Sequence, residues 1–132
     1  MLNPSTADAT TDDPTISRVV GFSRAWGDGS VTVVNLFALR TPYPVDLRAA
    51  RRPIGPHNDD ILLGEAVRCD RVITAWGNGG RLLNPTTDIP RSREVQELLN
   101  DAGLPTMCLG RTILGEPRHP LYLARSTALV PA

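Results

Sequence analysis

Lysine is missing altogether: the fourteen basic residues of the 132-residue chain are all arginine. No side-chain amine exists to form a Schiff base, to act as a general base or to serve as the phosphate-binding lysine of a Walker loop. Sulfur is scarce too. Cys69 and Cys108 stand apart with neither a CxxC pair nor a Cys/His spacing, which predicts two reduced thiols and no zinc site. No apolar run approaches the ~20 residues that cross a bilayer. The amino terminus also lacks the basic-then-apolar order of a secretion signal, so the expectation is a cytoplasmic protein with no membrane partner. Fourteen acidic residues cancel the arginines. A neutral molecule exerts no overall pull on nucleic acid, and any such contact needs a local patch. Arg40, Arg48, Arg51 and Arg52 are candidates for one, a solvated face being the plainer reading of such a run.

What is present reads as one soluble α/β domain over 1–132, without repeat or low-complexity block. Met1 and Leu2 resemble the end of a strand running into an Asn3-Pro4 loop. Asp13-Pro14 is a helix start, and Ile16, Val19, Val20, Ser23 and Trp26 follow at helical spacing until Gly27 stops them, predicting a helix over 14–26. Trp26 belongs to the core or, less simply, to a ligand platform. The run 30–39 is too continuously apolar for a half-wet strand and predicts one covered on both faces. Asn35 interrupts it; a buried amide needs partners, so this residue either ties down a loop or faces a ligand.

A stiff proline loop leads to a short helix at 45–51. A second helix is expected over 58–68 with Asn58 as its cap, His57 just before it facing solvent. Strand 71–76 ends in Gly77-Asn-Gly-Gly80, which lets backbone approach a ligand but lacks the dinucleotide and Walker spacings. A helix from Ser92 to Gly103, a strand over 104–109 and a loop over 110–118 follow, and the tail 126–132 is assigned only to packing or fraying.

Helices alternating with strands imply a three-layer α/β/α sandwich with a short, mostly parallel central sheet. In such sheets the ligand loops gather at the carboxyl ends of the strands, so the loops beginning at Asn3, Asn35, Gly77 and Gly110 are expected along one rim. The last of these presents Arg118 and His119. Prolines on either side of His119 narrow the backbone freedom of their neighbours, so the ring is expected in a fixed direction; a rigid surface turn docking Leu121 and Leu123 is the bland alternative.

Met1-Leu-Asn-Pro-Ser-Thr-Ala-Asp8, Asp13-Pro14-Thr15, Val34 to Arg40, Ala75-Trp-Gly77 and Gly115 to Leu123 resemble an uncharacterised bacterial family, domain of unknown function 1643, over nearly the whole chain. More distantly, the order of Asn3-Pro4, the Asn35 strand with its arginine- and proline-containing loop, the strand ending at Gly77, and His119-Pro120 is similar to the uracil-DNA glycosylase superfamily. Members of the first family carry a segment ahead of the Asn-Pro loop, so the resemblance implies a glycosylase-like sheet lacking part of its first strand. The apolar DNA-intercalating loop and the four-cysteine cluster of some glycosylases are not seen.

The resemblance implies hydrolysis of an N-glycosidic bond, with His119 donating to the departing base, Asn3 holding the attacking water and Asp8, the nearest carboxylate, either acting as the base or capping and stiffening the turn. Asn35 reads a base edge and Phe37 or Tyr43 offers a stacking face, burial in the core being the plainer reading of Phe37, with Pro4, Ser5, Arg40, Gly77 and Arg118 completing the substrate site. The expected partner is a nucleobase-containing ligand, single-stranded DNA among them. No cofactor or metal is expected, and without lysine the reaction is monofunctional. A non-catalytic nucleobase or nucleotide binder and a protein-interaction domain are the alternatives.

Overall fold

The computed structural model describes residues 1–5 and 13–132. Among the described residues are four α-helices and a three-stranded sheet: α1 Pro14–Ala25, α2 Pro44–Ala49, α3 Asn58–Ala66, β1 Val72–Thr74, α4 Arg91–Asp101, β2 Thr106–Cys108 and β3 Val130–Pro131. A 3-10 helix, Gly77–Arg81, follows β1. The helix ends obey local chemistry. Asp13 Oδ1 accepts from the amides of Thr15 (2.8 Å) and Ile16 (3.3 Å), Pro14 opens the first turn, and Gly27 (φ 79°) and Gly103 (φ 71°) follow α1 and α4 in the left-handed conformation.

The sheet order is β1-β2-β3. β1 and β2 run parallel, Val72 opposite Thr106, whereas β3 is antiparallel to β2, with Cys108 opposite Val130. The tail thus forms an edge strand, a position that tolerates Pro131 because its missing N–H faces away from the ladder.

The strand expected over 30–39 does not form. In a strand, successive N–H groups point to opposite sides. Here Leu36 and Phe37 both donate to the amino-terminal segment, at the carbonyls of Met1 (3.0 Å) and Leu2 (2.9 Å), before Ala38 and Leu39 turn to Ile54 and Pro53. The chain bends at Leu36 to do so and buries two consecutive side chains. Among the described residues, 31–35 make no ladder to β1. A cleft of about 480 Å³ lies there instead, walled by 28–36 and 68–76 with Met1 and Pro120 at its margin.

Two apolar clusters hold the domain. The larger joins Leu36, Phe37, Leu47, Leu62, Trp76 and Leu99, bringing α2, α3 and α4 together. The smaller joins Phe22 of α1 to Leu109 and Leu123. Arg91, 2% exposed, crosses the first cluster's edge. Its guanidinium donates to the Leu36 carbonyl (3.0 Å), to Glu94 (3.2 Å) and to Asp59, so the bend is fastened to both α3 and α4. Asn58 is the first residue of α3 rather than its cap. Its amide donates to the carbonyls of Asn35 (2.9 Å) and Leu36 (3.1 Å), and His57, exposed as expected, precedes it without a side-chain capping bond.

No helix among the described residues is long and apolar enough to cross a membrane.

Candidate functional site

The loop 110–118 is an ordered hairpin-like turn. Thr112 N donates to the Glu116 carbonyl (2.8 Å), Arg118 N to that of Gly110 (2.9 Å), and Gly115 N to that of Thr112 (2.9 Å). Glu116 anchors the turn to the body of the protein. One carboxylate oxygen accepts from the Trp76 indole (2.7 Å) and the other from the Ser92 hydroxyl (3.1 Å). Gly77 N donates to the Pro117 carbonyl (2.8 Å). A side chain at Gly77 (φ 66°) would bring its first carbon within 3.3 Å of His119 Cβ. Glycine at the end of β1 therefore makes room for the histidine.

His119 is half-buried between the buried Pro117 and Pro120. Its Nδ1 accepts from the Leu121 amide (3.3 Å), which leaves Nε2 as the ring donor. Burial lowers its pKa from the ordinary 6.5, the amino-terminal charge lowers it further, and Asp13 partly opposes both. The neutral ring with a proton on Nε2 is the form this environment favours.

The Asn3 loop is held by bonds of its own. Asn3 Nδ2 is shared by the carbonyls of Pro4 (3.1 Å), Leu39 (3.1 Å) and Thr41 (2.8 Å), and Thr41 N donates to the Pro4 carbonyl (3.2 Å). Arg40 Nε donates to the Ser5 carbonyl (2.6 Å), and Ser5 Oγ to Asp13 Oδ2 (3.0 Å). With Oδ1 capping α1, both oxygens of Asp13 are engaged. The 3-10 helix closes the link between loops, since Gly79 lies against Leu2, the residue before Asn3.

Asn3, Pro4, Ser5 and Arg40 thus form one interlocked group, and Gly77 and His119 another. The 3-10 helix, which begins at Gly77 and lies against Leu2, joins the two. No hydrogen bond among the described residues connects Asn3 directly with His119. Arg118 is exposed on the same loop. Asn35 stands apart from both groups: it lines the cleft beside β1, its carbonyl held by Asn58. Phe37 is 0% exposed in the larger core cluster, so it is not an open face for a base; of the two aromatic residues expected there, only Tyr43 is exposed. Its neighbours Leu36 and Trp76 have claimed it for packing. Trp26 stacks on Phe22, ring centroids 5.4 Å apart, and also borders the cleft. Asp8 and Asp12 lie outside the described residues.

Three positioning contacts were not visible in the sequence. Asp13 read as a helix cap and nothing showed its second bond to Ser5. Leu121 gave no sign that its amide would select the histidine tautomer. Glu116 looked like one more loop charge. Only the proline pair around His119 signalled a fixed ring.

The glycines after β1 also make room for the protein's own side chains. A side chain at Gly80 would sit 2.3 Å from the Trp76 ring, and one at Gly79 would sit 2.6 Å from Leu2. Backbone approaches the protein's own side chains here.

Residues 1–121 match the family described as protein of unknown function, DUF1643. No curated protein and no solved structure matches the chain.

Proposed function

Because the chain belongs to that family, whose description names no activity, we propose from the geometry that it is a nucleobase-recognising protein. In this reading it is a monofunctional glycosylase-like hydrolase of an N-glycosidic bond in nucleic acid or a nucleotide. The observation that carries the reading is His119. Its Nδ1 is occupied by the Leu121 amide, its pKa is depressed and its loop is braced through Glu116, so Nε2–H is a preorganised neutral donor. Such a donor stabilises the negative charge that develops on a departing base without first giving up a proton. Asn3 contributes orientation only. With Nδ2 committed to carbonyls, Oδ1 remains to accept a hydrogen from water, and an amide does not remove a proton. Asp8 stays the proposed base, since both oxygens of Asp13 are taken.

The two apolar clusters, one with α2 to α4 and one with α1, are what a sheet covered on both faces needs. They support the three-layer glycosylase-like architecture as the finer description of the fold. The chemistry ends at hydrolysis, because the chain has no lysine and the Met1 amine is buried against the Val34 carbonyl (2.9 Å). A binder without turnover is the second reading, favoured by the commitment of Asn3 Nδ2 and both Asp13 oxygens to structure.

Single-stranded oligonucleotides carrying uracil or other altered bases should acquire alkali-labile sites on incubation with the protein. His119→Ala should slow this about a hundredfold, the usual cost of one oxyanion donor. Scission without alkali would refute the monofunctional assignment. Calorimetric binding of a base with no release from any substrate would leave the binder reading.

A further inference from the structure

A second cleft, of about 480 Å³, lies along α1 and is lined, among the described residues, by eight, three of them Arg18, Arg24 and Arg125. No acidic residue lines it, and none of the three arginines forms an ion pair among the described residues. Arg18 lies over the Phe22 ring, 5.4 Å from its centroid, with its Nε buried and lacking any hydrogen-bond partner. A buried guanidinium N–H without an acceptor is costly unless something supplies one. The wall is open at Gly21, where an added carbon would meet nothing within 4 Å.

From these features we infer that the α1 cleft binds successive phosphates of a single-stranded nucleic acid. Arg18 and Arg24 are six residues apart on one helix, ~9 Å along its axis. That separation suits neighbouring backbone phosphates better than one phosphate ion. Arg125 faces them from the segment that follows His119. In that segment Tyr122 is 94% exposed and has φ 68°, a backbone conformation bulky residues rarely adopt. Its ring stands in solvent as a stacking face for a base, the second element of single-strand recognition beside cationic phosphate contacts. The inference rests on the nucleobase reading and deepens it: the substrate is a polymer, its backbone held on α1 while a base reaches His119.

The test is the fluorescence anisotropy of a short labelled oligothymidylate titrated with the whole protein over a range of salt concentrations. The probe contains no removable base, so a failure of the hydrolase reading leaves the measurement intact. Replacing all three arginines (Arg18→Gln, Arg24→Gln, Arg125→Gln) should weaken binding at least about tenfold at low salt and reduce the salt slope by about 2, three single-strand contacts each contributing about 0.7. Replacing the same three with lysine should keep most of the slope, which checks that the glutamine variant fails through charge. Arg48→Gln, Arg51→Gln and Arg52→Gln together remove equal charge from another surface and should leave the slope unchanged. Tyr122→Ala should weaken binding about tenfold without altering the slope. The inference is overturned if the glutamine variant binds like the parent, if the 48/51/52 variant loses as much, or if pyrophosphate binds the parent as tightly as the oligonucleotide does.

Discussion

His119 has its two ring nitrogens distinguished by a single backbone amide, and its charge is set by groups far from it in sequence. Burial and the amino-terminal charge act downward on its pKa, while Asp13 acts upward. Asp13→Asn keeps an oxygen to cap α1, so the helix should persist. Removing this upward influence should lower the histidine midpoint further, as read from the ring-proton shifts in an NMR titration. A midpoint that rises, or stays where it was, would show that Asp13 does not face the ring. The residues flanking this histidine were legible because prolines announce a rigid turn. Its charge environment was not, because Met1 and Asp13, whose charges act on it, are far from it in sequence. Phe37 is the converse case. Its apolar run made it a core residue first and a stacking face only second, and its packing with Leu36 and Trp76 bears out the core reading.

Among the elements, helix ends were read within a residue or two wherever a local signal marked them, as at Pro14, Gly27 and Gly103. The segment 30–39 failed because apolar patterning predicts burial, whereas a strand also needs a continuous partner. Leu36 and Phe37 find theirs in Met1 and Leu2, then the chain changes sides. The tail gave no signal at all, and its edge role has a measurable result. β3 covers Cys108, 0% exposed and with Sγ 4.0 Å from the Pro131 carbonyl, whereas Cys69 is exposed. A thiol reagent should modify one cysteine at once and the second only on unfolding. Deleting 129–132 should let Cys108 react in the folded protein, with modification rates read by mass spectrometry. Equal rates with and without the tail would mean that β3 does not shield β2.

At the scale of the whole molecule, three titrating groups act in one direction. Burial lowers the Met1 amine from 8.0 to about 5. His119 lies below 6.5 for the causes given above. Burial raises the Glu94 carboxyl, but hydrogen bonds from Thr87, Asn84 and Arg91 and the charge of Arg91 outweigh it, and the net displacement from 4.5 is downward. In each case the unfolded chain takes up the proton first as pH falls, so the folded state loses ground. Urea denaturation should therefore show a midpoint that declines steadily from pH 8 to pH 5, the interval across which the Met1 amine and His119 shift. His119→Gln should flatten the part just below 6.5 and leave the remainder. A midpoint constant over the whole range would contradict the burial of both groups.

The space above Gly79 and Gly80 is already spoken for by Leu2 and the Trp76 ring. Among relatives, bulk at position 79 should be traded against bulk at position 2, so these two sites should vary as a couple. A methyl group introduced at either glycine should then be tolerated only after its counterpart has been trimmed.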